Sequence, residues 1–278
     1  MNTRIFKAAL FLSVVLYFNN ALAAKVDTVL TYSPSMKKNI KATVVLPDGY
    51  STAKQYPVLY LLHGYSGNYG DYVNNAPVVK ELADRYQMIM IGVDGNFSSW
   101  YFDSPIDSSF RYETYVAKEL ISWVDKNYST IKDRSGRGIC GLSMGGHGAL
   151  YLAIKHQDVF GAAGSMSGGV DFRPFPKNWD IAKRLGTYEQ NQKVWTEHTV
   201  MGIINELKPN SLAIMMDCGV DDFFYPVNLA LHQKLLEMKI AHVYIADPGE
   251  HSWTYWSNDI SYQALFMHKF FVHESSAK

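Results

Sequence analysis

Short apolar runs alternate with helix-patterned segments along most of this chain, and that alternation is the strongest constraint on its fold. Most of the runs are apolar on both faces, which is typical of strands buried in a parallel sheet. The strand-like runs are 41–47, 57–64, 87–94, 136–143, 161–168, 211–219 and 241–249. Segments 111–127 and 226–239 repeat large aliphatic residues at helical spacing. This order predicts an α/β fold, in which a mostly parallel twisted sheet carries helices on both faces.

The beginning of the predicted sheet differs from the rest. Two strands, at about 26–32 and 40–46, are separated by very few residues. Parallel strands need a connection of about a dozen residues or more. These two strands are therefore predicted to pair antiparallel at one edge of the sheet.

The domain organisation is predicted to be simple, with one domain over 25–278. The chain has 278 residues and is 47% hydrophobic, which is ample for one core. Segment 169–209 breaks the alternation because it has no strand pattern. It contains Pro174, Pro176, Trp179 and Trp195. Ligands of open α/β sheets bind at the carboxyl ends of the strands, so this segment is a candidate cap insertion, with a plain surface excursion as the alternative.

The N-terminal segment has the pattern of a secretory signal peptide. Arg4 and Lys7 precede the apolar run AALFLSVVLYF, and the small residues of NNALAA follow it. We expect a signal peptide over 1–24, cleaved after Ala23 or Ala24, and export to the periplasm or the medium. The apolar run is short for a transmembrane span, so no stable membrane association is expected after cleavage; an uncleaved anchor is the alternative.

Charge and cysteine content exclude two classes of protein. The chain has 26 basic and 26 acidic residues and no basic block, so nucleic acid is not an expected partner. Only two cysteines are present, which excludes a disulfide scaffold even for an exported chain. Cys140 and Cys218 both end apolar runs, and buried free thiols are favoured over a bridge between them.

One short motif points to nucleophilic chemistry. The stretch GLSMG, residues 141–145, fits the pattern G-x-S-x-G, follows an apolar strand and precedes the helix-forming run GALYLAIKH. This is the setting of a nucleophile elbow, where a serine lies on a tight strand-to-helix turn. Gly141 and Gly145 would avoid collisions with the neighbouring backbone, and the Met144 N–H at the helix start can donate to an oxyanion. Ser143 is therefore predicted to be a nucleophile, with a plain turn residue as the alternative.

A serine nucleophile needs a histidine base and an acid that orients the base. In a fold with this elbow the expected chain order is serine, acid, histidine. His251, in PGEHSWTYW, follows the last predicted strand and is the best candidate for the base; a loop hydrogen-bonding role is the alternative. Asp217 lies within a strand run and is predicted to be structural. The spacing leaves Asp221 and Asp222, in the next loop, equally open as the acid.

A second oxyanion donor is expected from the loop after an early strand. LLHGYSGNYGDY, residues 61–72, provides such a loop, in which Gly64 permits close backbone approach and Tyr65 follows it. A simple glycine-rich turn is the alternative. His63 precedes the serine and is predicted to shape this loop, and His147 is predicted to point away from the site.

The motifs YLLHGYSGNYGDY, GLSMGGHGAL, CGVDDFFYPVN and PGEHSWTYW, in this order, resemble the esterase D-like branch of the α/β-hydrolases. That group includes S-formylglutathione hydrolases, tributyrin-type esterases, feruloyl esterases and mycolyltransferases. The resemblance extends from about residue 30 to residue 272. It implies the α/β-hydrolase fold and a serine–histidine–aspartate site.

The same resemblance implies roles for individual residues. Ser143 is implied to be the nucleophile and His251 the base. Asp222, three residues after the glycine of the CGxxD pattern, is implied to be the acid rather than Asp221. The implied oxyanion donors are the main-chain N–H groups of Tyr65 and Met144. Finally, NFSSWYFDS (96–104) resembles a segment that borders the site, so Trp100 and Tyr101 are candidates to line an acyl pocket, with a packing role equally open.

Together, the resemblance and the export signal predict an exported serine carboxylesterase that works through an acyl-enzyme. Feruloyl or acetyl esters of plant polysaccharides are the expected substrates, so the partner is a small-molecule or oligosaccharide ester. A broad short-chain carboxylesterase and an acyltransferase of mycolyltransferase type are the alternatives. No cofactor is expected, and no metal, because the sequence has no H-x-x-H pair and no Cys/His cluster at ligand spacing.

Overall fold

The computed structural model describes residues 24–276 and contains one eight-stranded sheet. The predicted signal peptide lies outside the described residues, except for Ala24. The sheet order is β1-β2-β4-β3-β5-β6-β7-β8. The strands are β1 (Lys25–Ser33), β2 (Lys38–Leu46), β3 (Val58–Leu62), β4 (Ile89–Val93), β5 (Arg137–Leu142), β6 (Ala162–Met166), β7 (Ala213–Asp217) and β8 (Val243–Ile245).

The pairing of the strands confirms the predicted fold class. β2 pairs antiparallel with both β1 and β4, and every pair from β4 to β8 is parallel. The antiparallel hairpin therefore forms one edge of the sheet, as its short connection required. Strands β3 to β6 are buried along their whole length, which explains why their sequences are apolar on both faces.

Helices cover both faces of this sheet. They are α1 (Asp71–Asn75), α2 (Val78–Tyr86), α3 (Tyr112–Thr114), α4 (Ile121–Asn127), α5 (Met144–Lys155), α6 (Ile181–Leu185), α7 (Tyr188–Glu197), α8 (Val200–Ile203), α9 (Tyr225–Glu237) and α10 (Trp253–Ser276). A π-helical turn, Tyr115–Leu120, joins α3 to α4. The helices predicted over 111–127 and 226–239 are thus present, the first with this wider turn in its middle.

Segment 169–209 is a helical excursion between β6 and β7 that forms α6, α7 and α8. Trp195 is buried at its centre, where its indole N–H donates to the Gly186 carbonyl over 2.9 Å. The Trp195 ring also packs edge-on against Phe172, with ring centroids 5.5 Å apart. These contacts hold the short helices of the excursion together.

Both cysteines are buried and unpaired, which agrees with the favoured interpretation of the sequence. Cys140 lies in β5, and Cys218 follows the last residue of β7. Burial raises the pKa of both thiols far above the ordinary range.

A pair of buried carboxyl groups links the sheet to α10. Asp217 ends β7 as a buried residue next to Asp259 on α10, and within 24–276 neither Asp217 Oδ1 nor Asp259 Oδ2 has a hydrogen-bond donor. The Gln263 amide also donates to Asp217 Oδ2 over 2.6 Å. Burial raises the pKa of both carboxyls, Asp217 most strongly. Two carboxyl groups can bond only if one is protonated, so the pair shares a proton, and the structural role predicted for Asp217 agrees with this position.

This shared proton predicts a pH-dependent stability. An unfolded aspartate releases its proton near pH ~4, whereas the folded pair holds one up to its raised pKa. The free energy of unfolding should therefore fall as pH rises through that window. In Asp259→Asn a neutral amide that can donate to Asp217 replaces the second carboxyl, so Asp217 no longer retains the extra proton and denaturant unfolding should show a shallower decline from acid to alkaline pH. Asp158→Asn, at an exposed carboxylate, is the control; equal slopes for both variants would contradict the shared proton.

Candidate active site

The elbow at Ser143 is the centre of the site. Ser143 lies between the last residue of β5 and the first residue of α5, with φ at 55° and ψ at −119°. This backbone conformation is strained for a residue with a side chain. It is held by two hydrogen bonds, from the Ser143 N–H to the Met166 carbonyl (2.9 Å) and from the Gly169 N–H to the Ser143 carbonyl (3.1 Å). The end of β6 thus fixes the turn.

Two glycines allow α5 to begin directly against the sheet. A Cβ atom at Gly145 would lie 2.1 Å from the Leu62 carbonyl oxygen, and one at Gly141 would lie 2.3 Å from the Gly145 oxygen. Real Cβ atoms do not approach backbone this closely, so both positions exclude every other residue without a backbone shift. The collisions expected from the sequence are therefore confirmed, and they place Ser143 at the carboxyl end of the central strands.

Ser143, His251 and Asp222 form one hydrogen-bonded chain. His251 Nε2 lies 2.9 Å from Ser143 Oγ, and His251 Nδ1 lies 2.7 Å from Asp222 Oδ2. The carboxylate can only accept, so Nδ1–H donates to it. Nε2 is then the lone-pair nitrogen that faces the serine hydroxyl. This is the arrangement in which an imidazole can take a proton from a serine.

The geometry distinguishes the two candidate acids. Asp222 is buried, and its second oxygen accepts the Phe224 N–H over 2.8 Å. Asp221 is exposed. The Asp221 N–H instead donates to the Gly249 carbonyl over 3.0 Å, and the Val220 N–H donates to the Asp247 main-chain carbonyl over 2.9 Å. These two bonds tie the loop after β7 to the loop that carries the histidine, so the acid and the base are positioned together.

The two expected oxyanion donors lie on either side of the nucleophile. Met144 follows Ser143 directly, and a Cβ at Gly64 would lie 3.4 Å from Ser143 Cβ, so the turn before Tyr65 passes close to the serine. Neither the Tyr65 N–H nor the Met144 N–H donates a hydrogen bond to any residue within 24–276. Both donors are therefore available to an oxygen bound in the site.

His63 braces the loop that carries Tyr65, as the sequence predicts. Its ring is buried; Nδ1–H donates to the Gly64 carbonyl over 2.7 Å, and Nε2 accepts the Gly95 N–H over 2.8 Å. Burial lowers the pKa of His63. Both contacts also require the neutral ring, because a proton on Nε2 would face the Gly95 N–H. The loop is therefore held by a histidine that stays uncharged.

Trp100 and Tyr101 pack in the core next to the site and are not among the residues that line its cavity. Both are buried, and both have a positive φ, at 54° and 59°. The Trp100 main-chain N–H points to Met144 Sδ (3.4 Å), and its indole N–H donates to the Trp179 carbonyl (3.2 Å). The Tyr101 hydroxyl donates to the His63 carbonyl (3.1 Å). The proposed acyl-pocket role does not fit this burial, so packing is the better description of both residues.

His147 is also removed from the site, as expected. In its buried ring, Nδ1 lies 3.1 Å from the Trp100 carbonyl oxygen and Nε2 lies 2.8 Å from the His198 carbonyl oxygen. Burial lowers the pKa of His147 to about 4, so the neutral ring carries one N–H and donates to one of these carbonyls at a time. The ring therefore packs α5 against two neighbouring segments and does not contact Ser143 Oγ.

The cavity in front of Ser143 is small and largely aromatic. Its volume is about 200 Å³. Besides Ser143 and His251, its lining consists of Gly64, Tyr65, Asp71, Leu142, Trp179, Phe223, Trp253 and Trp256. Trp179 comes from segment 169–209 and stacks on Phe223, with ring centroids 5.7 Å apart.

Six of these side chains had no individual role assigned from the sequence: Asp71, Leu142, Trp179, Phe223, Trp253 and Trp256. All but Trp179 lie inside the quoted motifs, within a few positions of a triad or oxyanion residue. Proximity in the motif was therefore the available signal. For Trp179 the signal was its place in segment 169–209, the candidate cap insertion.

No group of three or more histidine, cysteine, aspartate or glutamate side chains within 24–276 is arranged to hold a metal ion. In the same residues, no helix is both long and apolar enough to cross a membrane.

Comparison with known proteins places the chain in a family. The family model described as "Putative esterase" matches residues 33–267. An acetyl esterase of Caldicellulosiruptor saccharolyticus is 29% identical over 258 residues, which covers 86% of this chain and 96% of that protein.

Solved structures show the same relationship. A ferulic acid esterase is 28% identical, with a TM-score of 0.77, and the match covers 89% of this chain and 99% of that one. An S-formylglutathione hydrolase from Staphylococcus aureus shares the fold, with a TM-score of 0.77 at 22% identity and coverage of 88% and 99%. The chain therefore belongs to this esterase family and has its α/β-hydrolase fold.

Proposed function

We propose that this esterase is a serine carboxylesterase in which Ser143, His251 and Asp222 form the catalytic triad. The observation that carries the proposal is the continuous hydrogen-bonded chain from Asp222 Oδ2 through both ring nitrogens of His251 to Ser143 Oγ. The two unpaired N–H groups beside the serine support it further.

The reaction follows from this geometry in two stages. Ser143 Oγ attacks the ester carbonyl carbon while His251 Nε2 takes the hydroxyl proton. The carbonyl oxygen becomes an oxyanion, which the N–H groups of Tyr65 and Met144 stabilise. His251 then gives its proton to the leaving alcohol, and an acyl-enzyme remains. Water, activated by the same histidine, releases the acid and restores Ser143.

Asp222 acts on His251 and not on the substrate. Its buried carboxylate keeps the proton on Nδ1 and stabilises the imidazolium that forms during each proton transfer. The Phe224 N–H bond to the other carboxylate oxygen holds that orientation. Asp221 has no corresponding contact with the histidine.

The proposed substrates are acetyl or feruloyl esters of plant polysaccharides, met outside the cell after export. The acetyl esterase and ferulic acid esterase relatives, at 29% and 28% identity, support this class. A cavity of about 200 Å³ with aromatic walls suits a compact acyl group or a single aromatic ring. The same small volume argues against an acyltransferase that accepts long acyl chains.

The triad predicts unequal effects of three substitutions. Ser143→Ala should remove nearly all turnover of p-nitrophenyl acetate, because the nucleophile is lost. Asp222→Asn should lower kcat by about 10⁴-fold, because the wrong histidine tautomer is favoured. Asp221→Asn is the matched control and should leave kcat within about twofold, since this carboxylate is exposed. Steady-state rates with folded variants test this; equal losses in the two asparagine variants would refute the assignment of the acid.

The substrate class predicts an order of preference among esters. Initial rates of residues 25–278 should be high for p-nitrophenyl acetate or methyl ferulate and low for p-nitrophenyl octanoate. Acetylated or feruloylated xylo-oligosaccharides should also be cleaved, and Ser143→Ala should abolish every one of these rates. A preference for octanoate would favour a different class of ester, and cleavage of small esters without oligosaccharides would favour a broad short-chain carboxylesterase.

A further inference from the structure

Asp71 places a carboxylate in the wall of the cavity that contains Ser143 and His251. It is the first residue of α1, directly after the loop that carries Tyr65. Of the side chains that line the cavity, Asp71 is the only carboxylate, and the triad mechanism gives it no task. A carboxylate is a strong hydrogen-bond acceptor, and in a largely aromatic cavity a bound ligand can supply the donor that it lacks.

The hydrogen bonds that Asp71 makes within the protein leave acceptor capacity unused. Oδ2 accepts the Asn68 main-chain N–H over 3.1 Å, and Oδ1 accepts the Asn68 side-chain amide over 2.8 Å. A carboxylate offers about four lone-pair sites, so two bonds occupy half of them. No lysine or arginine within 24–276 forms an ion pair with Asp71. Partial burial raises the pKa of this carboxyl, as expected for an acceptor short of donors.

Two tryptophans connect Asp71 to the histidine side of the cavity. Trp253 packs edge-on against Tyr72, the residue after Asp71, with ring centroids 5.6 Å apart. Trp256 lies 5.6 Å from Trp253 and 4.8 Å from the His251 ring, again between centroids. His251 must deliver its proton to the leaving oxygen, so the alcohol portion of the ester lies beside this wall.

We propose that Asp71 accepts a hydrogen bond from a free hydroxyl of the alcohol portion, so that the enzyme selects esters of sugars or other polyols. This inference rests on the proposed function and narrows it to one side of the substrate. The indole faces of Trp253 and Trp256 provide the apolar surface on which the carbon skeleton of a sugar ring packs. Asp71 is thus a specificity residue that contacts substrate, separate from the triad.

A hydroxyl fits this position better than a cation does. Both donors that Asp71 already uses are neutral amide groups, and a further neutral donor completes the same arrangement without displacing either. Asp71 is only partly buried, so solvent weakens its attraction for a charge. A directional hydrogen bond depends less on that screening. Sugar esters, in addition, carry free hydroxyls next to the ester bond.

The test compares esters that share an acetyl group and differ in the alcohol. Acetylated xylo-oligosaccharide offers hydroxyls, p-nitrophenyl acetate offers none, and acetylcholine offers a cation. Asp71→Ala should lower kcat/KM for the acetylated oligosaccharide by about tenfold to hundredfold, mainly through KM, because a charge-assisted hydrogen bond is lost. The loss for p-nitrophenyl acetate should be far smaller. Asp71→Asn, which retains one acceptor oxygen, should fall between the parent and Asp71→Ala.

Asn68→Ala is the matched loop control. It removes the amide bond to Oδ1 while keeping the main-chain bond to Oδ2 and the carboxylate itself. It should therefore preserve the preference for the oligosaccharide. A loss of preference in Asn68→Ala equal to that in Asp71→Ala would overturn the proposal, since loop order would then be responsible.

The remaining outcomes separate this inference from the proposed function. Equal losses for all three acetates in Asp71→Ala, or a loss confined to acetylcholine, would overturn the hydroxyl contact and leave the triad intact. A parent enzyme that cleaves p-nitrophenyl acetate but no acetylated oligosaccharide would overturn the substrate class alone. A parent enzyme that cleaves no ester would overturn the proposed function, and the inference with it.

Discussion

The close approach of α5 to the end of β3 is the constraint on which the site depends. A Cβ atom added at Gly145 would lie only 2.1 Å from the Leu62 carbonyl oxygen. The start of α5 can therefore approach the end of β3 this closely only with glycine at position 145. This contact fixes the direction in which Ser143 leaves the sheet. It also brings the loop after β3, with its Tyr65 N–H, beside the serine. Ser143 and the two N–H groups proposed as oxyanion donors are therefore positioned by one packing contact between main-chain atoms.

His251 and Asp222 are positioned by a second, independent set of contacts. Main-chain hydrogen bonds from Val220 and Asp221 cross to the loop before His251 and join the two loops. The distance between Asp222 and His251 is then set by backbone pairing and not by side-chain packing alone. Such support from main-chain atoms is tolerant of surface substitution. It fits the observation that a ferulic acid esterase only 28% identical retains the fold, with a TM-score of 0.77.

The strands and the elbow were predictable because each has a strong local signature. Buried parallel strands are apolar on both faces, and Gly141 and Gly145 flank Ser143 at fixed offsets. The long helix α10 was missed, although Ile260, Ala264, Met267 and Phe271 recur on its buried face. Its tryptophans and tyrosines obscure that pattern.

The cavity wall was the least predictable part of the site. Trp100 is buried and has a positive φ of 54°, a conformation that the sequence pattern around it did not predict. Trp179 reaches the site through a helical excursion whose path has no periodic pattern. In the sequence, nothing distinguishes Asp71 from any other polar residue of its loop. Only the folded chain shows that its carboxylate lies in the wall of the cavity. Long-range contacts, and not local pattern, decide these three positions.

The two buried thiols have a consequence for where this protein can function. Cys140 and Cys218 are the only cysteines of the chain, and both are unpaired and held in the protonated form by burial. A thiol must ionise and be reached before it reacts with oxidants. The folded enzyme therefore contains no covalent link that depends on redox potential. Its fold depends on no disulfide bond, and a change from reducing to oxidising surroundings leaves both buried thiols unmodified.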